Sequence, residues 1–414
     1  MNKSEKETSQ LGIIIIIVFL GFLGISIPYL IFPSLFLNPD YLILPATSTE
    51  SYRALCLGIT LAAYPLGQFI GSPILGSLSD EYGRKPLLSG SLLIAGISNL
   101  ITGFAIAKQH LGLLIASRFI AGLMEGNIAI VRAMAADIKS ISKHKAFGKM
   151  NAAGSIAYLI GPLLGGLLTD RALFKNVTAS TPFFLTCFLF FLLAGLAAIM
   201  LKNSAPQSPR AIKTFWQRFN FIQRASILFK NRSLKILMLT STLFTLAVDI
   251  FYEFGPVHLT VKWDLGPSHL IFYNGLLCLS LAVGSGWLVS FISSRLSHKA
   301  PIVCGMLGFM FLLSGIAFVT TQPMMMLLFG LSGLFIGTTV TLLMVKISDS
   351  VSETIQGEVL GTQVSLRVLG DGLICLCGGV LLMVSSQLIL ILAAGLALAT
   401  SIYYVVTKGQ LSLK

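Results

Sequence analysis

Charge is scarce in this chain of 414 residues, of which Asp, Glu, Lys and Arg together make up only 11%. A soluble globular chain carries about 25% charged residues. Acidic residues are the rarer class, with 16 Asp and Glu against 29 Lys and Arg, while 55% of all residues are hydrophobic. So little charge cannot cover the surface of a water-soluble protein of this length, and the composition therefore excludes that class.

Several chemical motifs are also missing. The sequence contains no Walker-type phosphate loop, no H-E-x-x-H zinc-protease motif and no G-x-S-x-G nucleophile turn. The five histidines do not cluster, and the six cysteines lie in or at the ends of apolar segments without metal-ligand spacing. We therefore expect no enzyme activity, no ATP coupling within this chain, no cofactor, no metal site and no disulfide framework, and we interpret the cysteines as small buried hydrophobes.

Long apolar runs are the dominant feature that is present. Each is long enough to cross the ~30 Å hydrocarbon layer of a bilayer, and the first is too long for a signal-peptide core. The pattern predicts an all-α integral membrane protein with twelve transmembrane helices. These spans lie near residues 11–37, 51–75, 86–107, 111–136, 149–169, 180–201, 233–257, 267–292, 300–320, 323–347, 357–384 and 386–407.

The basic residues follow the predicted loops. If both termini are inside, the inner segments hold 21 of the 29 Lys and Arg, the outer segments hold 5, and 3 lie within spans. Such a bias fixes the orientation of membrane proteins, so the net charge of +13 reflects topology and not nucleic-acid binding. The prediction is a multi-pass plasma-membrane protein with cytoplasmic termini, and the short loops favour a bacterial inner membrane.

A polar segment divides the spans into two groups of six. Residues 1–201 form the first predicted half, 202–232 a cytoplasmic central loop, and 233–414 the second half. The loop mixes aromatic and basic residues, which is compatible with an amphipathic helix on the inner leaflet or with a disordered linker.

The two halves repeat weakly. Pro86 aligns with Pro301, and Gly165-Gly166 aligns with Gly378-Gly379, at offsets of 215 and 213 residues. Two nearly equal offsets indicate an internal duplication.

The loop after the second span concentrates charge between two apolar segments. Its pattern G-x-L-S-D-x-x-G-R-K comprises Gly76, Asp80, Gly83, Arg84 and Lys85. It resembles the loop between helices 2 and 3 of major facilitator superfamily transporters. The resemblance covers nearly the whole chain, and it implies two six-helix halves with a binding site between them near the bilayer midplane. A simple positively charged topology anchor is the alternative interpretation of this loop.

The same loop permits a mechanical prediction. Gly76 and Gly83 would allow close helix approach and a tight turn, and Asp80 would cap the following helix. Arg84 and Lys85 would bridge to acids such as Asp137, at the inner end of the fourth span. In the superfamily such pairs hold the inner face closed.

The fourth span carries Arg118, Glu125 and Arg132 at seven-residue intervals, which places them on one face of a continuous helix. Charge at this depth is expensive and usually faces the protein interior. Arg118-x-x-x-Gly122 resembles the superfamily's fourth-helix motif, whose arginine faces the central cavity in proton-coupled members. An internal Arg118–Glu125 tether is the alternative.

The fifth span contains Gly161, Pro162, Gly165 and Gly166. This pattern resembles the G-x-x-x-G-P-x-x-G-G signature of exporters of the drug:proton antiporter type, with Ala157 where a glycine is usual. Generic close packing of small residues would give a similar pattern.

Acidic residues occur in two later spans. Asp249 and Glu253 share a face of the seventh span, and Phe254-Gly255-Pro256 should end that helix. Arg367 and Asp371 in the eleventh span should neutralise each other, or one of them should exchange partners with substrate or proton. Other polar residues that could line a cavity are Gln68, Asn127, Tyr158, Tyr252 and Asn274.

The resemblance to the tetracycline-exporter branch implies a monomeric secondary transporter. The expected activity is proton-driven export of a small organic molecule by alternating access, with Asp249 or Glu125 as the proton carrier. A proton symporter that takes up a nutrient, such as an amino acid or sugar, uses the same fold and stays open, as does a membrane protein that is not a transporter.

Overall fold

The computed structural model describes residues 3–27, 30–38, 43–138, 143–169, 177–202, 231–293, 299–351 and 353–409. Within these ranges all regular secondary structure is helical. Ten helices are long and apolar enough to cross a membrane, and two shorter apolar helices, Ser9–Gly24 and Ala152–Leu167, bring the number to twelve. The prediction of a twelve-span, all-α membrane protein is confirmed. The predicted amphipathic segment of the central loop lies outside the described residues.

The helices before the central loop are α1 (Lys3–Ser26), α2 (Ile31–Leu37), α3 (Glu50–Tyr82), α4 (Arg84–Ala107), α5 (Leu111–Met124), α6 (Asn127–Ala136), α7 (Lys143–Leu167) and α8 (Thr181–Met200). Those after it are α9 (Arg232–Trp263), α10 (Pro267–Val283), a π-helical turn (Gly284–Leu288), α11 (Val289–Ser293), α12 (Lys299–Phe318), α13 (Gln322–Asp349), α14 (Glu353–Leu382) and α15 (Ser386–Gly409).

Two expected spans are interrupted. The first, expected as one helix over 11–37, ends at Ser26, and α2 is a separate short helix. Pro28 follows in the sequence, and a proline makes the helical conformation unfavourable for the residue before it. The fourth span divides into α5 and α6 at Glu125-Gly126, where backbone bonds join residues three apart instead of four.

The seventh span shows the opposite error, because the predicted break at Pro256 is wrong. α9 continues through this proline to Trp263. A proline removes only its own N–H bond, whereas ending the helix inside the membrane would leave several backbone groups unpaired. The helix ends instead at Asp264, whose φ of 52° is left-handed and whose N–H bonds Thr260 O at 2.8 Å.

The chain groups into two compact units. The first consists mainly of helices that precede the central loop, and the second mainly of helices that follow it. Two short segments depart from that division: Thr49–Gly58 groups with the second unit, and Gly266–Ile271 with the first.

In the first unit α4 packs on α5 and α8, and α1 packs on α7 and α8. In the second, α9 packs on α13, α14 and α15. An aromatic cluster fills this second core, where the rings of Phe251 and Phe329 are 4.6 Å apart and those of Phe251 and Phe309 are 5.8 Å apart. Close packing of this kind holds helices together in a bilayer, since lipid tails are as apolar as the side chains themselves.

Candidate functional site

Close backbone packing of α3 against α5 positions the polar centre of the first unit. A Cβ atom added at Gly71 would lie 1.9 Å from Leu123 O, and one added at Gly122 would lie 2.0 Å from Tyr64 O. Only glycine allows such an approach. As a result, the Tyr64 side chain on α3 reaches the turn between α5 and α6.

Glu125 is the centre of this group. Its residue is only 4% exposed, and its carboxylate accepts a hydrogen bond from the Tyr64 hydroxyl. Arg118 is 7% exposed and lies over the Tyr64 ring, with its guanidinium carbon 4.6 Å from the ring centroid, in cation–π geometry. An acid, a phenol and a guanidinium are therefore assembled inside the first unit.

A small cavity adjoins this assembly. Its volume is about 10 Å³, and its polar lining comes from four helices and the turn between α5 and α6. The polar lining residues are Tyr64, Asn99, Arg118, Glu125 and Asn127. Arg132, which the sequence placed on the same stripe as Arg118, is exposed on α6 and does not line this cavity. The interruption of the helix at Glu125 explains the difference.

A polar seam between α9 and α14 forms the corresponding centre of the second unit. Arg367 bonds Asp249 through two nitrogens, with Nε–Oδ2 at 2.8 Å and Nη2–Oδ1 at 2.6 Å. Further along the seam, the Gln363 amide donates to the Ser241 hydroxyl. Bidentate pairing of this kind gives the strongest charge-assisted hydrogen bonds.

This arrangement corrects the predicted Arg367–Asp371 pairing, because Arg367 pairs with Asp249 across the helix interface. Asp371 lies instead beside Glu253 and Cys375, with carboxylate oxygens and Sγ within 4.8 Å of one another. Cys375, expected to be a plain buried hydrophobe, places its Sγ 3.9 Å from Asp371 Oδ1. Carboxylate and thiolate donors of this kind could hold a metal ion.

The charged loop makes the ion pair that its sequence predicts. Arg84 bonds both the Asp137 carboxylate and the Ala133 carbonyl oxygen. Gly83 supplies the tight turn, with a φ of 96°.

Two other expectations for the loop are wrong. Asp80 lies in the last turn of α3, so the N-cap of α4 is Gly83. Gly76 has only ordinary contact at its Cα, since an added Cβ would lie 4.0 Å from Ala129 Cβ. The Asp80 side chain lies outside the described set, and Lys85 is half-buried.

The fifth-span motif packs α7 against the end of α1. An added Cβ at Gly161 would lie 1.9 Å from Ser26 Oγ, and one at Gly165 would lie 1.8 Å from Ile27 O. At Gly166 it would lie 2.4 Å from an Ile271 side-chain carbon. Pro162 is accommodated within the helix. The motif therefore acts here through close packing.

The remaining predicted cavity residues do not gather in one place. Asn127 lines the first-unit cavity. Tyr158 is exposed and packs on Phe22, with ring centroids 5.2 Å apart, and Tyr252 packs on Phe251. Gln68 and Asn274 are half-buried, and the Asn274 amide nitrogen has no hydrogen-bond partner among the described residues.

Sequence reasoning missed Asn99 and half of the seam. The signal for the seam was present, because two series of polar residues recur at every fourth position. They are Ser241, Thr245, Asp249 and Glu253 on α9, and Gln363, Arg367, Asp371 and Cys375 on α14. Residues four apart share a helix face. Asn99 has no such pattern, and only the packing of α4 brings it to the cavity.

Comparison with known proteins gives a consistent result. The family model described as Major Facilitator Superfamily matches residues 14–374. A class H tetracycline resistance protein of Pasteurella multocida is 31% identical over 220 residues, which cover 52% of this chain and 50% of that protein. Multidrug resistance protein 1 of Bacillus subtilis (strain 168) is 29% identical over 67% of this chain and 73% of its own length.

The fold also matches solved structures. The human organic anion transporter MFSD10 (TETRAN) superposes with a TM-score of 0.69 and 17% sequence identity. The match covers 98% of this chain and 100% of that one. At this identity the likeness concerns the fold.

Proposed function

The chain belongs to the Major Facilitator Superfamily, and on that premise we propose that it exports a small organic molecule in exchange for protons by alternating access. The resistance proteins named above support export, because their names describe drug resistance, and a membrane transporter can give resistance by moving a drug out of the cell. The chain itself is a multi-pass membrane transporter and not an enzyme.

Glu125 carries the argument for proton coupling. It lies inside a span, is almost fully buried, and shares its cavity with Arg118 and Asn127. Charge is expensive at this depth. When this carboxyl gains or loses a proton, the charge of the whole centre changes. A proton-driven carrier needs such a change in charge to favour one of its conformations over the other.

The Asp249–Arg367 pair has a different role in this proposal. An acid already neutralised by two hydrogen bonds from a guanidinium must give up the ion pair and at least one of those bonds when it binds a proton. We assign Glu125 as the proton carrier, and Asp249 with Arg367 as the pair that substrate binding perturbs. Glu253 and Asp371 add two further acidic side chains to that seam.

The Arg84–Asp137 pair is proposed to stabilise closure of the cytoplasmic side. It joins the start of α4 to the residue that follows α6, so that opening there must break it or move both ends together. The distribution of basic residues supports cytoplasmic termini, and the proposed setting is the inner membrane of a bacterium, where the protein would act as a monomer.

Proteoliposomes with a trapped pH dye test the proposal. Candidate compounds are added under proton gradients imposed in each direction, and proton flux is recorded for the parent protein, Glu125→Gln and Asp249→Asn. We expect counterflow of protons against an exported compound. Glu125→Gln should lose this counterflow, because glutamine resembles the protonated acid and cannot release a proton.

Matched controls make the result specific. Glu50→Gln and Asp264→Asn make the same chemical changes at exposed positions and should leave flux unchanged. Proton movement in the same direction as the compound would identify uptake by symport instead. Full coupling in the Glu125→Gln protein would refute the assignment of the carrier.

A further inference from the structure

The cavity beside Glu125 is too small for an organic substrate. At about 10 Å³ it has room for roughly one water molecule, which requires ~10–15 Å³ of such space. A buried water also needs two to four polar partners. Five polar side chains line this cavity, so its chemistry fits water.

Asn127 provides an independent reason for a ligand at this place. The residue is 5% exposed, yet its side chain makes no hydrogen bond to any other described residue. By contrast, the Asn99 amide in the same cavity donates to Ala95 O at 2.9 Å. Buried amides are nearly always hydrogen-bonded, by protein or by ordered water. An amide that lines a water-sized cavity without a protein partner therefore indicates a water site.

The local backbone supports the same conclusion. α5 ends at Met124, and α6 begins at Asn127. Between them the Ile128 N–H donates to Glu125 O at 3.1 Å and the Ala129 N–H donates to Gly126 O at 3.1 Å, and the four-residue pattern resumes only with a longer bond of 3.4 Å from the Ile130 N–H to Gly126 O. Insertion of a water molecule into the helix is one cause of such an interruption.

We infer that this cavity binds one water molecule, which the Asn127 amide holds against the Glu125 carboxyl group. Asn127 is then a positioning residue for proton transfer, a role that rests on the proposed function, whereas the water site itself does not. When Glu125 releases its proton, its O–H bond breaks as a new O–H bond forms to the water. The water passes one proton onward and is restored.

Radiolytic labelling in heavy-oxygen water tests the site directly. An X-ray pulse activates bound water, which hydroxylates adjacent rings, and Tyr64 and Phe190 line this cavity. In the full-length protein we expect label on one or both rings. Asn127→Leu fills the space without a polar group and should reduce this label severalfold. Asn127→Ser keeps a hydrogen-bonding group and should retain it.

Two reference sites show whether each variant is still folded. Tyr82 is exposed and should be labelled equally in all variants, while the buried Phe309 of the second unit should stay unlabelled. Equal cavity labelling in Asn127→Leu and the parent protein, or none in the parent, would overturn the water site.

Transport kinetics test the positioning role separately. Asn127→Leu should lower the maximal proton-coupled rate by about tenfold, the effect of losing one hydrogen bond to a charged group. The apparent KM for the compound should stay unchanged, and Asn127→Ser should restore the rate. Loss of label with an unchanged rate would refute the role while leaving the water site. Persistent coupling in Glu125→Gln would refute the assignment of Glu125 as the proton carrier without altering the labelling result.

Discussion

Removing one partner of the Asp249–Arg367 pair should have unequal effects. The Asp249 side chain is 5% exposed, whereas that of Arg367 is 47% exposed. Arg367→Gln leaves a buried carboxylate without its cation. Breaking an ion pair in this way lowers the free energy of unfolding by about 3–5 kcal/mol where the pair is fully buried, and by about 1 kcal/mol or less where it is exposed. We expect the intermediate value of about 2–3 kcal/mol here.

The reverse change should be milder. Asp249→Asn leaves a guanidinium that is already half exposed, and the asparagine oxygen can still accept one of its hydrogen bonds. We expect a loss of about 1 kcal/mol. The double variant should also lose about 1 kcal/mol of unfolding free energy, since neither charge remains. A double-mutant cycle should therefore give a coupling energy of about 2–3 kcal/mol.

Unfolding by titration with a denaturing detergent in mixed micelles measures all four free energies. A second cycle with Asp371→Asn and Arg367→Gln is the control, because α14 spacing alone favours that pair and the structure does not. Its coupling should be clearly smaller. Equal losses for the two single variants, or stronger coupling to Asp371, would refute the pairing and the burial argument together.

Two further predictions concern packing and the charged loop. Gly165→Ala would bring a methyl group onto a backbone oxygen 1.8 Å away, whereas Gly195→Ala meets nothing within 4 Å. We expect the first to lower the unfolding temperature by several degrees and the second to leave it unchanged, and a similar loss in both would contradict the packing. Asp137→Asn should weaken closure of the cytoplasmic side and increase labelling of cysteines introduced there, and Asp137→Arg with Arg84→Asp should partly restore the parent level. Unchanged labelling in Asp137→Asn would show that this pair does not stabilise closure.

The spans were predictable because the bilayer imposes them. An apolar run must be long enough to cross the membrane, and its backbone must be hydrogen-bonded within the segment. The same rule explains the wrong prediction at Pro256. A proline in that setting often ends a helix in a soluble protein, but here the helix continues, because a break inside the membrane would leave backbone groups without hydrogen bonds. The Arg84–Asp137 contact was predictable from a motif whose spacing sets the geometry.

The charge pairs inside the spans were not predictable in the same way. Spacing along one helix offered Asp371 as the partner of Arg367, but packing of α9 on α14 places Asp249 closer. Local pairs on a helix contribute only about 0.2–0.5 kcal/mol. A bidentate contact between helices outweighs that amount, so tertiary packing decides the pairing.

The two polar centres differ in what must change before an acid can bind a proton. At Glu125 the contacting donor is the neutral Tyr64 hydroxyl, which can rotate its O–H away without moving a charge. At Asp249 the donor is a guanidinium held by two bonds, so protonation must dissolve an ion pair and break at least one of those bonds. A proton carrier must load and unload in every transport cycle, and the centre that reorganises less suits that task. A substrate that competes for Arg367 or Asp249 replaces the broken bonds with its own, and it gains binding energy in doing so. The division of roles that we propose for the two units follows from this difference in their partners.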